Sequence, residues 1–151
     1  MPLPSTRVIP DNWSEHHYFT VDGTLTATCT ILRPSQELAF DPETNATTRV
    51  GDPVVVFQGK CRVQQLQPGQ EQVAADQGIV NATHLVVVRW DVDPVRIGEF
   101  SDWVHIDTCP DDLELAGWDL HIEGALFSSL RWERDLYCSK ELVERNPVGE
   151  E

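Results

Sequence analysis

Between Thr24 and Ile31 the chain alternates without a break: Thr24, Thr26, Thr28 and Thr30 interleave with Leu25, Ala27, Cys29 and Ile31. Successive side chains of an extended strand point to opposite faces, so this period of two puts apolar groups on one face and hydroxyls on the other. A strand that is dry on one side only belongs to an antiparallel sheet covering a core with one face. That feature steers the fold toward an all-β architecture.

The rest of the chain repeats the pattern in shorter pieces. Val54-Val55-Val56-Phe57 and Cys61-Arg62-Val63-Gln64 read as one strand, broken or bulged at Gly59. The run Leu85-Val86-Val87-Val88 predicts a strand buried on both faces. Trp103 to Asp107 follows a turn at Gly98, and Trp118, Leu120 and Ile122 alternate with Asp119, His121 and Glu123. Finally, Leu130, Trp132, Arg134, Leu136 and Cys138 share a face, which directs Trp118 and Trp132 into the core and Arg134 to a sheet edge or a subunit contact. About six strands close most naturally into a small antiparallel β-barrel, because closure leaves no exposed edge.

Asp11 stands where it can cap a short helix running through Trp13 and Tyr18. So short a helix is not stable alone in water, so Trp13, His17 and Tyr18 are expected to dock it against the barrel or a neighbour. Residues 34–52 read as a polar connection, and residues 67–82 as a second long loop. The expected organisation is an N-terminal arm and helix over 1–22, a barrel over 23–139 and a polar tail over 140–151.

The 151 residues carry 25 acids against 11 Lys and Arg, a formal charge of −14. Sequence-independent affinity for nucleic acid comes from clustered cations displacing counterions from phosphates. Here the cations are scattered singly, as at Arg33, Arg49, Lys60 and Arg62, so tight wrapping of DNA is disfavoured. Passage of DNA through an acidic channel is not, since like charges keep a polyanion off the wall. No run of apolar residues is long enough to span a bilayer, and no signal peptide opens the chain, so a soluble protein made in a cytoplasm is expected.

Catalytic patterns are weak throughout. Cys29, Cys61, Cys109 and Cys138 lie far apart with no C-x-x-C pair, and read as buried thiols rather than zinc ligands. His16 and His17 point about 100° apart on a helix and do not suit one ion. The acids Asp91, Asp93, Asp102, Asp107, Asp111 and Asp112 bring a two-metal nuclease to mind, but most fall in turn contexts where Asp serves the local backbone. Ser128-Ser129 lacks a nucleophile-elbow pattern. The expectation is no enzyme, no metal and no cofactor. An oligonucleotide-binding β-barrel, with tryptophans stacking bases, is the alternative of another class.

Three stretches carry a family likeness: Val8-Ile9-Pro10-Asp11-Asn12-Trp13-Ser14-Glu15-His16-His17, the strand from Gly23 to Ile31, and Gln58-Gly59-Lys60-Cys61-Arg62-Val63. They resemble an uncharacterised family common in actinobacterial phages and prophages. The second half is similar to head-closure (stopper) proteins of long-tailed phages more widely. A strand over 85–91 is followed by a glycine turn and a short strand. The acidic turn Asp111-Asp112-Leu113-Glu114-Leu115-Ala116-Gly117 comes next, then a hairpin ending in Arg134, Leu136 and Cys138. The resemblance implies a virion subunit of the head–tail neck, assembled as a cyclic ring (dodecamer or hexamer). Adaptor and portal proteins would lie above it, a tail terminator or tail tube below, and packaged double-stranded DNA in its channel. A tail-terminator or adaptor ring is the neighbouring alternative. Within this reading Gln67, Gln70, Glu71, Gln72, Asp76 and Gln77 form the channel loop, able to hydrogen-bond without trapping phosphate, and residues 34–52 are the rival gate.

Overall fold

The computed structural model describes residues 9–67, 82–97, 100–125 and 131–140. Six strands close a barrel: β1 (Ala27–Arg33), β4 (Val54–Gln65), β5 (His84–Arg89), β8 (Glu133–Lys140), β7 (Asp119–Ala125) and β6 (Trp103–Thr108), in that order around the wall. Every neighbouring pair is antiparallel. No helix among the described residues is long and apolar enough to cross a membrane.

The interior is set by the alternation. Ile31, Val104, Ile106, Leu120, Ile122 and Leu136 have no exposed surface, and burial of such side chains stabilises by about 1.5–3 kcal/mol each. All four cysteines are free and buried. The outward threonines are tied across strands: Thr28 Oγ1 lies 2.7 Å from Thr108 Oγ1, and Thr30 donates to Asp107 at 2.8 Å. Leu25 departs from its expected place. The chain turns at Thr24, whose amide donates to the Val21 carbonyl, and Leu25 joins Val21 and Val87 in a small cluster on the outside of the barrel.

That cluster explains why β5 is dry on both faces. Val86 and Val88 point into the barrel core, while Val87 is covered by the helix α1 (Trp13–Asp22). The helix is longer than the sequence pattern indicated, and its N-cap is Asn12 rather than Asp11, with no side-chain capping bond. Its stability rests on docking, not capping.

Strand β4 is continuous over twelve residues instead of breaking at Gly59. The bulge falls at Val56, because β1 pairing jumps from Ile31–Phe57 to Leu32–Val55. Gly59 serves a different purpose: a Cβ there would sit 2.8 Å from Cζ of Phe57, whose ring lies over it. The expected polar connection over 34–52 contains a second sheet, the hairpin β2 (Leu38–Asp41) and β3 (Ala46–Arg49). Asp41 closes its turn by accepting from the Glu43 amide and the Thr44 hydroxyl, both at 2.9 Å. Asn45 takes the left-handed φ of 53° that asparagine tolerates.

The two mouths of the barrel differ. At one, Val92 and Val95 fold over the core, and Asp102 is buried beneath them. Arg33 grips Asp102 with two hydrogen bonds of 2.9 and 3.0 Å, and the Arg96 amide adds a third at 2.9 Å. With the barrel closed there is no sheet edge for Arg134, whose Nη1 donates to the Val92 carbonyl at 2.8 Å on the same plug. Among the described residues the other mouth is open.

Candidate functional site

Three surfaces stand out, and each is built by a different element. The first is an aromatic seam where α1 meets the start of β8. Trp13 lies 4.8 Å from Trp132 and 4.5 Å from His17, and the His17 ring stacks on Trp132 at 5.5 Å and 22°. Trp132 is therefore not a core residue; it is 38% exposed and receives the helix. Of the three expected docking residues, Trp13 and His17 come together here. Tyr18 sits apart, donating to Asp22 at 3.0 Å with the Arg89 guanidinium 4.1 Å from its ring centroid. A cleft of about 220 Å³ lies beside the seam, lined by Arg131, Trp132, Glu133 and Asp135.

The second surface is the β2–β3 hairpin at the plugged end. Leu38 and Phe40 project from one strand at i and i+2, and are 62% and 61% exposed. Val54 and Val55 at the start of β4 are exposed as well. Arg49 steadies the base of the hairpin: it donates to the Ser35 carbonyl at 2.6 Å, and its guanidinium lies 3.6 Å from the Phe100 ring centroid. The sequence pattern missed this surface because four-residue strands carry too little periodicity to register.

The third is the open mouth, a groove of about 550 Å³. Trp118 and Leu115 form its apolar wall, and Asp111, Asp112 and Glu114 its acidic rim. Asp112 caps the 3₁₀ turn Leu113–Leu115 by accepting from the Glu114 amide, which fixes the rim's shape. Thr26 donates to Asp111 at 2.5 Å. The Lys140 ammonium stands 3.5 Å from the Trp118 ring centroid, and His84 meets the ring edge-on at 5.7 Å. Burial, with Lys140 adding to it, pulls the His84 imidazole below its ordinary value of 6.5.

Of the expected channel-loop residues, Gln67 is on the surface, while Gln70, Glu71, Gln72, Asp76 and Gln77 lie outside the described residues. No group of three or more His, Cys, Asp or Glu among the described residues could hold a metal ion. One relay-like arrangement escaped the sequence reading: Ser101 Oγ is 2.5 Å from His121 Nε2, and His121 Nδ1 is 3.5 Å from Glu123. Ser101 is only 3% exposed, which leaves no approach for a carbonyl substrate. His105 is held similarly by Asp119 at 2.6 Å. Both imidazoles brace the outer faces of β6 and β7. The alternation in β7 shows His121 and Glu123 on one face, but nothing in the sequence pairs them with Ser101.

Comparison with solved structures places the fold beside the solution structure of protein SF1141 from Shigella flexneri 2a. The two share 16% identity over 81% of this chain and 97% of that one, with a TM-score of 0.56. That likeness concerns the fold alone. No curated protein matches the chain. A family model matches residues 17–139, from the middle of α1 to the penultimate residue of β8, and the chain therefore belongs to the family of unknown function DUF6093.

Proposed function

We propose that this protein is a structural ring subunit of a phage head–tail neck, of the head-closure type. The observation that carries the reading is the β2–β3 hairpin. A two-stranded hairpin is marginal on its own in water, and this one shows Leu38 and Phe40 to solvent, as Val54 and Val55 at the start of β4 are also shown. An apolar projection on a closed barrel suits a head-to-tail contact with a neighbouring copy, the kind of contact that closes a ring when the rotation between copies permits. Apolar contact also suits a chain of −14, because neighbours must associate against like-charge repulsion. The same charge keeps double-stranded DNA from adhering to the channel wall. Retention of DNA is then mechanical, and no catalytic residue is required.

Deleting the gene from the phage that encodes it tests this reading. Heads should fill and then lose their DNA, with tails left unattached, and a copy supplied in trans should restore both. Infectious particles forming normally without the protein would rule it out.

A further inference from the structure

Each strand of the barrel has a neighbour on either side, whereas β2 and β3 pair only with each other. An antiparallel ladder alternates residues that exchange backbone bonds with residues whose N–H and C=O point away from the partner strand. The Val50 amide donates to the Glu37 carbonyl at 2.9 Å, and the register continues as Leu38–Arg49, Ala39–Thr48, Phe40–Thr47 and Asp41–Ala46. The internal bonds therefore fall at Ala39–Thr48 and Asp41–Ala46. The peptide groups of Leu38 and Phe40 face outward from β2, and those of Thr47 and Arg49 outward from β3. Among the described residues no backbone group beyond the hairpin bonds them. Open edges of this kind are templates for a further strand.

Charge selects which strand that is. On β2, Leu38 and Phe40 are bracketed by Glu37 and Asp41, whereas β3, from Ala46 to Arg49, has no acid and one cation. Two β2 edges aligned so that Leu38 meets Phe40 would set Asp41 directly opposite Glu37 at both ends. Like charges opposed across strands destabilise a sheet. β3 laid against β2 in the register of the hairpin itself avoids this, because Asp41 then meets Ala46, Glu37 meets Val50 and Leu38 meets Arg49.

We propose that hairpins of successive copies join edge to edge, β2 of one copy antiparallel to β3 of the next. The peptide groups of Leu38 and Phe40 bond those of Thr47 and Arg49 across the joint. Such a joint is head-to-tail, so each pair of copies keeps a free edge at either end for another copy. Residues directly opposite in a sheet share a face, so Leu38 and Phe40 of all copies line one side of it. Its place in a particle rests on the ring reading above, and it gives the hairpin contact its partner surface.

Disulfide trapping on the purified chain reads the joint separately from any role in a particle. Phe40→Cys and Thr47→Cys are made in separate chains, one of them tagged, and mixed with oxidised glutathione at about 0.5 M salt to screen the like charge. The native cysteines are all buried. Pairing brings the two substituted Cα atoms to roughly 5.5 Å, within the span of a disulfide. The mixed dimer should then dominate both homodimers. Leu38→Pro in the Phe40→Cys chain removes an outward amide and should abolish the mixed dimer, whereas Leu38→Val keeps the amide and should preserve it. Phe40 and Thr47 also face each other within one hairpin. A dilute chain carrying Phe40→Cys, Thr47→Cys and Leu38→Pro should therefore still close its bond internally, which shows the hairpin intact. Should the proline disturb the hairpin, the ratio of mixed dimer to homodimers decides alone. A mixed dimer no more abundant than random collision yields, an excess of either homodimer, or trapping that survives Leu38→Pro in an intact hairpin would each overturn the proposal. None of these results touches the gene-deletion test of the neck reading.

Discussion

At the residue scale, the most consequential pair is Arg33 with Asp102. The carboxylate has no exposed surface and three hydrogen-bond donors, two of them from one guanidinium. Removing one partner of such a pair leaves a buried charge uncompensated, which costs about 3 kcal/mol. Arg33→Ala should therefore lower Tm by roughly 6–12 °C and loosen the plug formed by Val92 and Val95; thermal unfolding checks it. His84 gives a second prediction. Burial lowers its imidazole below the ordinary 6.5, so the unfolded chain takes up that proton first as pH falls. More protons on the unfolded state mean stability is lost on acidification through about pH 6.5. Tm should fall between about pH 7.5 and about pH 5.5, and His84→Gln should reduce that fall. A variant with an unchanged pH profile would remove His84 from the account. Single residues were unevenly legible. Cys29 and Ile31 could be placed inside from alternation alone, whereas Leu25 and Trp132 carry the same apolar signal and sit outside, because a helix covers them there. A one-dimensional pattern distinguishes dry from wet, not which of two dry places a side chain occupies.

Elements were legible in proportion to their length. The barrel strands could be read because each repeats its period over several residues. The hairpin β2–β3 could not, and the bulge was misassigned to Gly59 because a glycine in a strand has two explanations. Here the reason is the Phe57 ring lying across it, and the extra residue is Val56. The helix shows that marginal elements borrow stability. Val21 and Val87 touch only through docking of α1 on β5, so Val21→Ala and Val87→Ala should each destabilise by roughly 1–3 kcal/mol and combine to less than the sum of the two, since both remove one contact. Chemical denaturation of the single and double variants measures that coupling, and strict additivity would mean the helix is held elsewhere. The hairpin behaves in the opposite way. Leu38→Asp with Phe40→Asp changes exposed positions, so stability should stay within about 0.5 kcal/mol while incorporation into assembled particles is lost. A loss of folding instead would make these side chains structural rather than docking groups.

For the whole molecule, closure of the sheet was the easiest property to read, because half-dry strands with no candidate covering layer must wrap around one another. The candidate sites were the hardest. Trp118 was read as a core tryptophan, and it does pack against the core, yet its ring also walls the open mouth. The acidic turn was recognised as a turn, but its position at a barrel mouth depends on strand order, which no local pattern contains. The expected channel-loop residues Gln70, Glu71, Gln72, Asp76 and Gln77 fall in the connection between β4 and β5 and outside the described residues, while the strand ends that flank it, Gln65 and His84, both line that same mouth. A ring of these barrels would thus have a plugged end carrying the apolar hairpin and an open end carrying the acidic groove, a polarity suited to joining two different neighbours. The central claim is that this barrel is a component of the neck. Electron cryomicroscopy of purified virions tests it most directly. The account predicts a ring of closed six-stranded barrels beneath the portal and adaptor, each with its β2–β3 hairpin against the next copy. A neck whose density is fully occupied by other chains would contradict it.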